Sequence, residues 1–211
     1  MALFFLSKSP SRLLRRMMLK QFRPWAISMY ALFSLVVVVS HAYATDAAWA
    51  RVQRGGYTIL IQGADASGTL SPTVDSSADC SVTQTLSDRG RQLAQKLGAR
   101  FAARGVRIDK VLTSSTCNAR ETARLSFSQI TAEIFGPLDP LPGNEAVKQA
   151  QIDQIRAAIV AFKGLGNLVM MTDRANIIAL TGITPRPTEA VVVSKAEEGE
   201  TIHIAGRIIF D

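Results

Sequence analysis

Histidine is almost missing from this chain: it occurs twice in 211 residues, at His41 and His203. A serine or threonine nucleophile needs a neighbouring base, so Ser114, Ser115 and Thr116 read as structural turn residues rather than as reactive ones. Long apolar runs are missing too. The most extended, Trp25 to Ser40, has sixteen residues, short of the ~20 that cross a bilayer. Cysteine is limited to Cys80 and Cys117. An internal repeat, a low-complexity tract and a basic face of the nucleic-acid-binding kind are all absent.

The apolar run is nonetheless informative, because Lys20 and Arg23 precede it and Ala42-Tyr43-Ala44 follows it. A basic flank, a short apolar stretch and a small-x-small end make residues 1–44 an expected signal peptide, with Thr45 first in the mature chain. An uncleaved membrane anchor is the alternative. Residues 1–44 carry six of the 24 Lys and Arg and none of the 17 acids, which leaves 18 bases against 17 acids, a formal charge of +1. The surplus of positive charge therefore belongs to the leader, and residues 45–211 form the expected domain. In an oxidising compartment an even cysteine count suggests a Cys80–Cys117 disulfide, with two buried thiols as the alternative. Closing so long a loop is worth roughly 3–4 kcal/mol in the chain-entropy model.

Patterning predicts strands at Tyr57–Ile61, a short apolar run rich in β-formers, at Ile108–Thr113, and at Asn167–Thr172, a third buried run. Helices are expected from a Ser87 cap to about Arg104, from Asn118 to about Ile130, over Glu145–Phe162 and over about Arg174–Leu180. Residues 62–86 read as a long loop, and the Gly136-to-Gly143 segment, with three prolines, reads as non-helical. Val191–Val193 and Ile202–Ile209 are expected to close the sheet as a hairpin around Glu198-Gly199. This alternation implies one α/β domain, with a mainly parallel sheet covered by helices on both faces.

Three segments follow strand ends, where ligands collect in open α/β sheets: LIQGADASG (60–68), LTSSTCNARETA (112–123) and LVMMTDRANIIALTG (168–182). With LSDRGRQLAQKLGARF between the first two, their order and flanks resemble the histidine phosphatase superfamily, the phosphoglycerate-mutase-like fold, over about residues 56–195. The resemblance implies a phosphoryl-accepting histidine and an arginine after the first strand, a second arginine before Glu-Thr-Ala, and a second histidine after the third strand. The arginines hold phosphate oxygens and the second histidine stabilises charge in the transition state.

At these four places this sequence has Gln62, Gly63, Asn118 and Asp173. Only His203 remains beyond the leader, on a terminal strand, where it reads as half-exposed. A two-histidine mechanism is therefore excluded, while the frame residues Thr122, Ala123, Asn176 and Thr181-Gly182 persist. The expectation is an exported pseudophosphatase with no cofactor, no nucleic acid and no stable membrane span once the leader is removed, its ligand or protein partner unassigned. The alternative is an active phosphomonoesterase working through other residues. Arg120 is expected in a surface ion pair. Asp65 with Asp173 makes only a weak cation site, and Asp139 and Glu145 lie in the region where the family keeps its acid.

Overall fold

Strand β1, Thr58–Gln62, alternates between two apolar layers, and that alternation organises the whole domain. In the computed structural model the described residues are 45–64, 80, 86–186, 189–196 and 202–210. They belong to one compact unit, Ala44–Asp211. Further strands are β2 (Ile108–Thr113), β3 (Glu133–Ile134), β4 (Asn167–Thr172), β5 (Glu189–Lys195) and β6 (Ile202–Ile209). Helix α1 covers residues 45–54. It is followed by α2 (Asp88–Ala103), α3 (Cys117–Ser126), α4 (Glu145–Ala161) and α5 (Arg174–Thr181).

The six strands form one sheet in the order β3-β2-β4-β1-β5-β6. β1, β2, β3 and β4 run parallel, while β5 is antiparallel to β1 and β6 antiparallel to β5. Successive strand side chains point to opposite faces. Ile59, Ile61, Val169, Met171, Ala190 and Val192 accordingly pack with α1, α2 and α3. Leu60, Leu168, Met170, Val191 and Val193 pack on the other side with α4 and α5. The expected two-sided, mainly parallel sheet is what the chain forms.

Local chemistry explains the helix starts. Ser87 caps α2 by accepting from the Gly90 N–H at 3.0 Å, and Asn144 caps α4 by accepting from Ala146 and Val147 at 3.0 and 3.1 Å. At the other end of α5, Gly182 takes φ +70°, the left-handed conformation that stops a helix at little steric cost to glycine.

Several expectations need correction. No element is expected over residues 45–54, yet α1 forms there and buries Ala48, Trp49 and Val52. Trp49 meets Phe101 and Phe210 edge-on at centroid distances of 5.3 and 5.8 Å. Helix α3 stops at Ser126 rather than near Ile130, and the brief strand β3 intervenes. Gly136–Leu138 is a single 3-10 turn, where proline is tolerated because a first-turn N–H has no helical partner to lose. β5 is longer than Val191–Val193, and Glu198-Gly199 lie outside the described residues.

Helices α2 and α3 cross at a point that admits no side chain. A Cβ on Gly98 would lie 2.1 Å from the Ser126 carbonyl oxygen. At the same crossing the Ser126 hydroxyl donates to the Ala94 carbonyl at 2.8 Å. Gly98→Ala should therefore destabilise the protein by about 1–3 kcal/mol, despite alanine's better helix propensity. Chemical denaturation checks it: a neutral or stabilising effect would mean that the helices do not meet this closely.

Candidate functional site

The C-terminal ends of β1, β2 and β4 lie side by side because backbone bonds continue past the strands. The Gly63 N–H donates to the Thr172 carbonyl at 3.0 Å, and the Ser114 N–H to the Met171 carbonyl at 2.9 Å. Helix α3 then drops onto this edge. Thr122 joins it there: its hydroxyl accepts from the Ala64 N–H at 3.0 Å and donates to the Asn118 carbonyl at 2.6 Å. The Glu121 carboxylate accepts from the Leu86 N–H at 3.1 Å, and Ala123 is fully buried. The three residues of Glu-Thr-Ala thus anchor the return of the long loop, seat the helix and fill the core, in that order.

Gly63 and Asn118 come together. A Cβ on Gly63 would lie 3.3 Å from the Ala119 Cα and 3.4 Å from the Asn118 amide nitrogen. A larger side chain at 63 would need α3 to yield by some tenths of an ångström. Gln62 ends β1 half-buried, one step past the Ile61–Ala190 pair and so level with Glu189. It borders a cavity of about 30 Å³, shared with Ile61, Ala64, Thr122, Glu189 and Phe210, with room for one or two waters.

Asp173 follows β4 and caps α5, accepting from the Asn176 N–H at 2.8 Å. Burial pushes its carboxyl above the usual range, against the pull of the Asn176 and Ala175 N–H groups. Glu189 shows the opposite balance. Burial alone would raise its carboxyl, but hydrogen bonds from the Arg207 guanidinium and the Arg186 N–H, with the charges of both arginines, hold it below the ordinary value.

The remaining candidates are occupied locally. Ser114 and Thr116 share a hydroxyl bond of 2.6 Å. Asp139 accepts from the Ser115 N–H at 2.6 Å and from its hydroxyl at 2.9 Å, clamping the β2–α3 turn. Glu145 is exposed in the first turn of α4, paired with Lys148 at 3.3 Å. His203 is exposed on β6, opposite Ser194. Asp65 lies outside the described residues. The disulfide between Cys80 and Cys117 is formed, with an S–S distance of 2.03 Å. Arg120 departs from expectation: its guanidinium donates to Cys80 Sγ at 3.1 Å, because the bridge carries residue 80 onto α3.

Buried amides hold the edge together in a way the motif spacing did not reveal. The Asn176 side-chain amide donates to the Leu138 and Asp139 carbonyls at 3.1 and 2.9 Å, and Gln151 adds a 2.7 Å bond to the Asp139 carbonyl. The signal was an asparagine inside an otherwise apolar helix, NIIAL, which demands buried partners. Among the described residues no helix is long and apolar enough to cross a membrane.

No family model matches the chain, and no curated protein matches it. Solved structures do. The Shigella flexneri α-ribazole phosphatase is 15% identical with a TM-score of 0.56, the match covering 74% of this chain and 96% of that one. The protein histidine phosphatase SixA, complexed with tungstate, is 16% identical with a TM-score of 0.51, over 72% and 96% of the two chains. A mycobacterial glucosyl-3-phosphoglycerate phosphatase is 11% identical with a TM-score of 0.52, over 71% and 97%. The domain has the histidine-phosphatase-like fold.

Thr122→Val keeps the shape and removes the hydroxyl, leaving the buried Ala64 N–H without its acceptor. A loss of about 1–3 kcal/mol in unfolding free energy is expected. A change below about 0.5 kcal/mol, within the ordinary range for surface substitutions, would show that Thr122 does not seat α3.

Proposed function

We propose that this chain is an exported pseudophosphatase: a histidine-phosphatase-like scaffold that has lost phosphoryl transfer and retains the fold for binding. The observation that carries the reading is Gly63 itself, which follows β1 against α3 and offers no side chain where the family resemblance implies a phosphoryl-accepting imidazole. A side chain at that position would need the helix to give by a few tenths of an ångström. The other replacements agree with this. Asn118 offers a neutral amide where the family resemblance implies an arginine. Asp173 offers a carboxylate whose oxygen is engaged as the α5 cap.

Electrostatics give the scale. One charge pair at ~4 Å is worth about 4 kcal/mol at an effective dielectric near 20. Exchanging two guanidiniums for amides and an imidazole for a carboxylate removes two such attractions and adds a repulsion. Phosphate affinity falls by several decades on that account. Export rests on the leader-like residues 1–44, and a disulfide accords with an oxidising compartment.

One preparation tests both parts. Expressed with its own leader in a bacterium and recovered from the periplasm, the protein should begin near Thr45. It should hydrolyse aryl phosphates no faster than buffer and yield no phosphohistidine on acid quenching. Gly63→His alone should add little, whereas Gln62→Arg, Gly63→His, Asn118→Arg and Asp173→His together should recover turnover, because such residues act as a unit. Wild-type turnover that persists in Gly63→Ala would overturn the pseudoenzyme reading. A cytoplasmic product retaining residues 25–44 would overturn export alone.

A further inference from the structure

The geometry points to a thiol–disulfide exchange site at Cys80–Cys117, whose reduction Arg120 and the start of α3 both favour. Cys117 is the first residue of α3, so its sulfur sits at the positive end of the helix dipole. Cys80 Sγ accepts a hydrogen bond from the Arg120 guanidinium at 3.1 Å. Helix N-termini and neighbouring arginines are the environments that stabilise a thiolate over a thiol. Here each sulfur has one of them. Both cysteines are half-buried.

The domain does not rely on the bridge to hold its core. On one side of Cys80 the chain is anchored by the Ala64 N–H on Thr122 at 3.0 Å. On the other side the fully buried Leu86 is fixed by its N–H on Glu121 at 3.1 Å and by Arg91 on its carbonyl at 2.7 Å. Reduction therefore opens the covalent tie between residue 80 and α3, keeps the Arg120 contact to Cys80, and leaves the packed layers in place. The bond opens one residue from Asn118, at the edge where Gly63 meets α3. The exchange site stands whether or not phosphatase chemistry has been lost.

The reaction needs a dithiol as reductant. Its thiolate, drawn by Arg120, attacks Cys80 Sγ. The bond between Cys80 and Cys117 breaks, and the electron pair leaves on Cys117 Sγ at the α3 N-terminus. The second thiol of the reductant, after losing its proton to solvent, then displaces Cys80, which departs as a thiolate beside Arg120. The reductant becomes a disulfide, and the protein gains two electrons. Attack is fastest where the departing thiolate is best stabilised.

The test is a titration of the folded, oxidised mature protein with dithiothreitol, with maleimide counting of thiols and a melting curve at each point. Two thiols should appear together while a cooperative melting transition remains. Arg120→Gln should need about tenfold more reductant, equivalent to about 30 mV for a two-electron couple. Arg120→Lys, which keeps the charge, should stay within about threefold of wild type. Thiols that appear only on unfolding, identical titration of Arg120→Gln, or equal losses in the Lys and Gln variants would each overturn the inference. Alkylation of Cys117 in the Cys80→Ser protein gives a second reading. Its midpoint should fall below the ~8.5 of an ordinary cysteine, and an ordinary midpoint would remove α3 from the account.

Discussion

The seat of α3 against the end of β1 is the contact on which the rest of this edge depends. It is made by one hydroxyl, that of Thr122, which takes the Ala64 N–H and gives to the Asn118 carbonyl. Because the Ala64 N–H is a buried backbone donor, leaving it unmet costs more than the bond itself returns. This joint fixes how near α3 can come to residue 63. With glycine there the helix comes closer than a bulkier residue would comfortably allow. Gly98 has the same effect at the far end of the helix, where α2 touches the Ser126 carbonyl. The helix is thus held from both ends by residues that offer no side chain.

The family resemblance implies, at such an edge, a held phosphate and an imidazole that passes the phosphoryl group. In this chain the polar groups at the edge hold the protein itself. Asp173 caps a helix, Asp139 clamps the turn at Ser115, and Asn176 with Gln151 binds the carbonyls of the 3-10 turn. On the proposed reading, interactions that served a ligand have given way to interactions that serve the fold.

The parts of the fold readable from sequence were those with strong local signals. IDKVLT and NLVMMT are strands at the residues expected, and the second, an apolar run between turn residues, is buried throughout as a central strand should be. The Ser87 cap and the leucine–phenylalanine spacing set α2. The elements that could not be read depend on distant partners. Helix α1 stops at Gly55, which takes φ +80°, but its burial of Trp49 is defined by Phe101 and Phe210, far along the chain. β3 is two exposed residues that pair because β2 is beside them. α3 ends early because Ser126 is committed to α2. At the candidate site, the proximity of Gly63 to Asn118 follows from motif order along parallel strands, whereas the disulfide's effect on Arg120 needed coordinates.

The central claim is that this edge no longer holds a phosphate-like anion. Calorimetric titration of the oxidised, folded protein with tungstate, the anion found in the SixA complex, measures this without relying on turnover. The account predicts no saturable heat up to millimolar anion at moderate ionic strength. Saturable binding at micromolar tungstate, displaced by inorganic phosphate and weakened by Asn118→Asp, would contradict it.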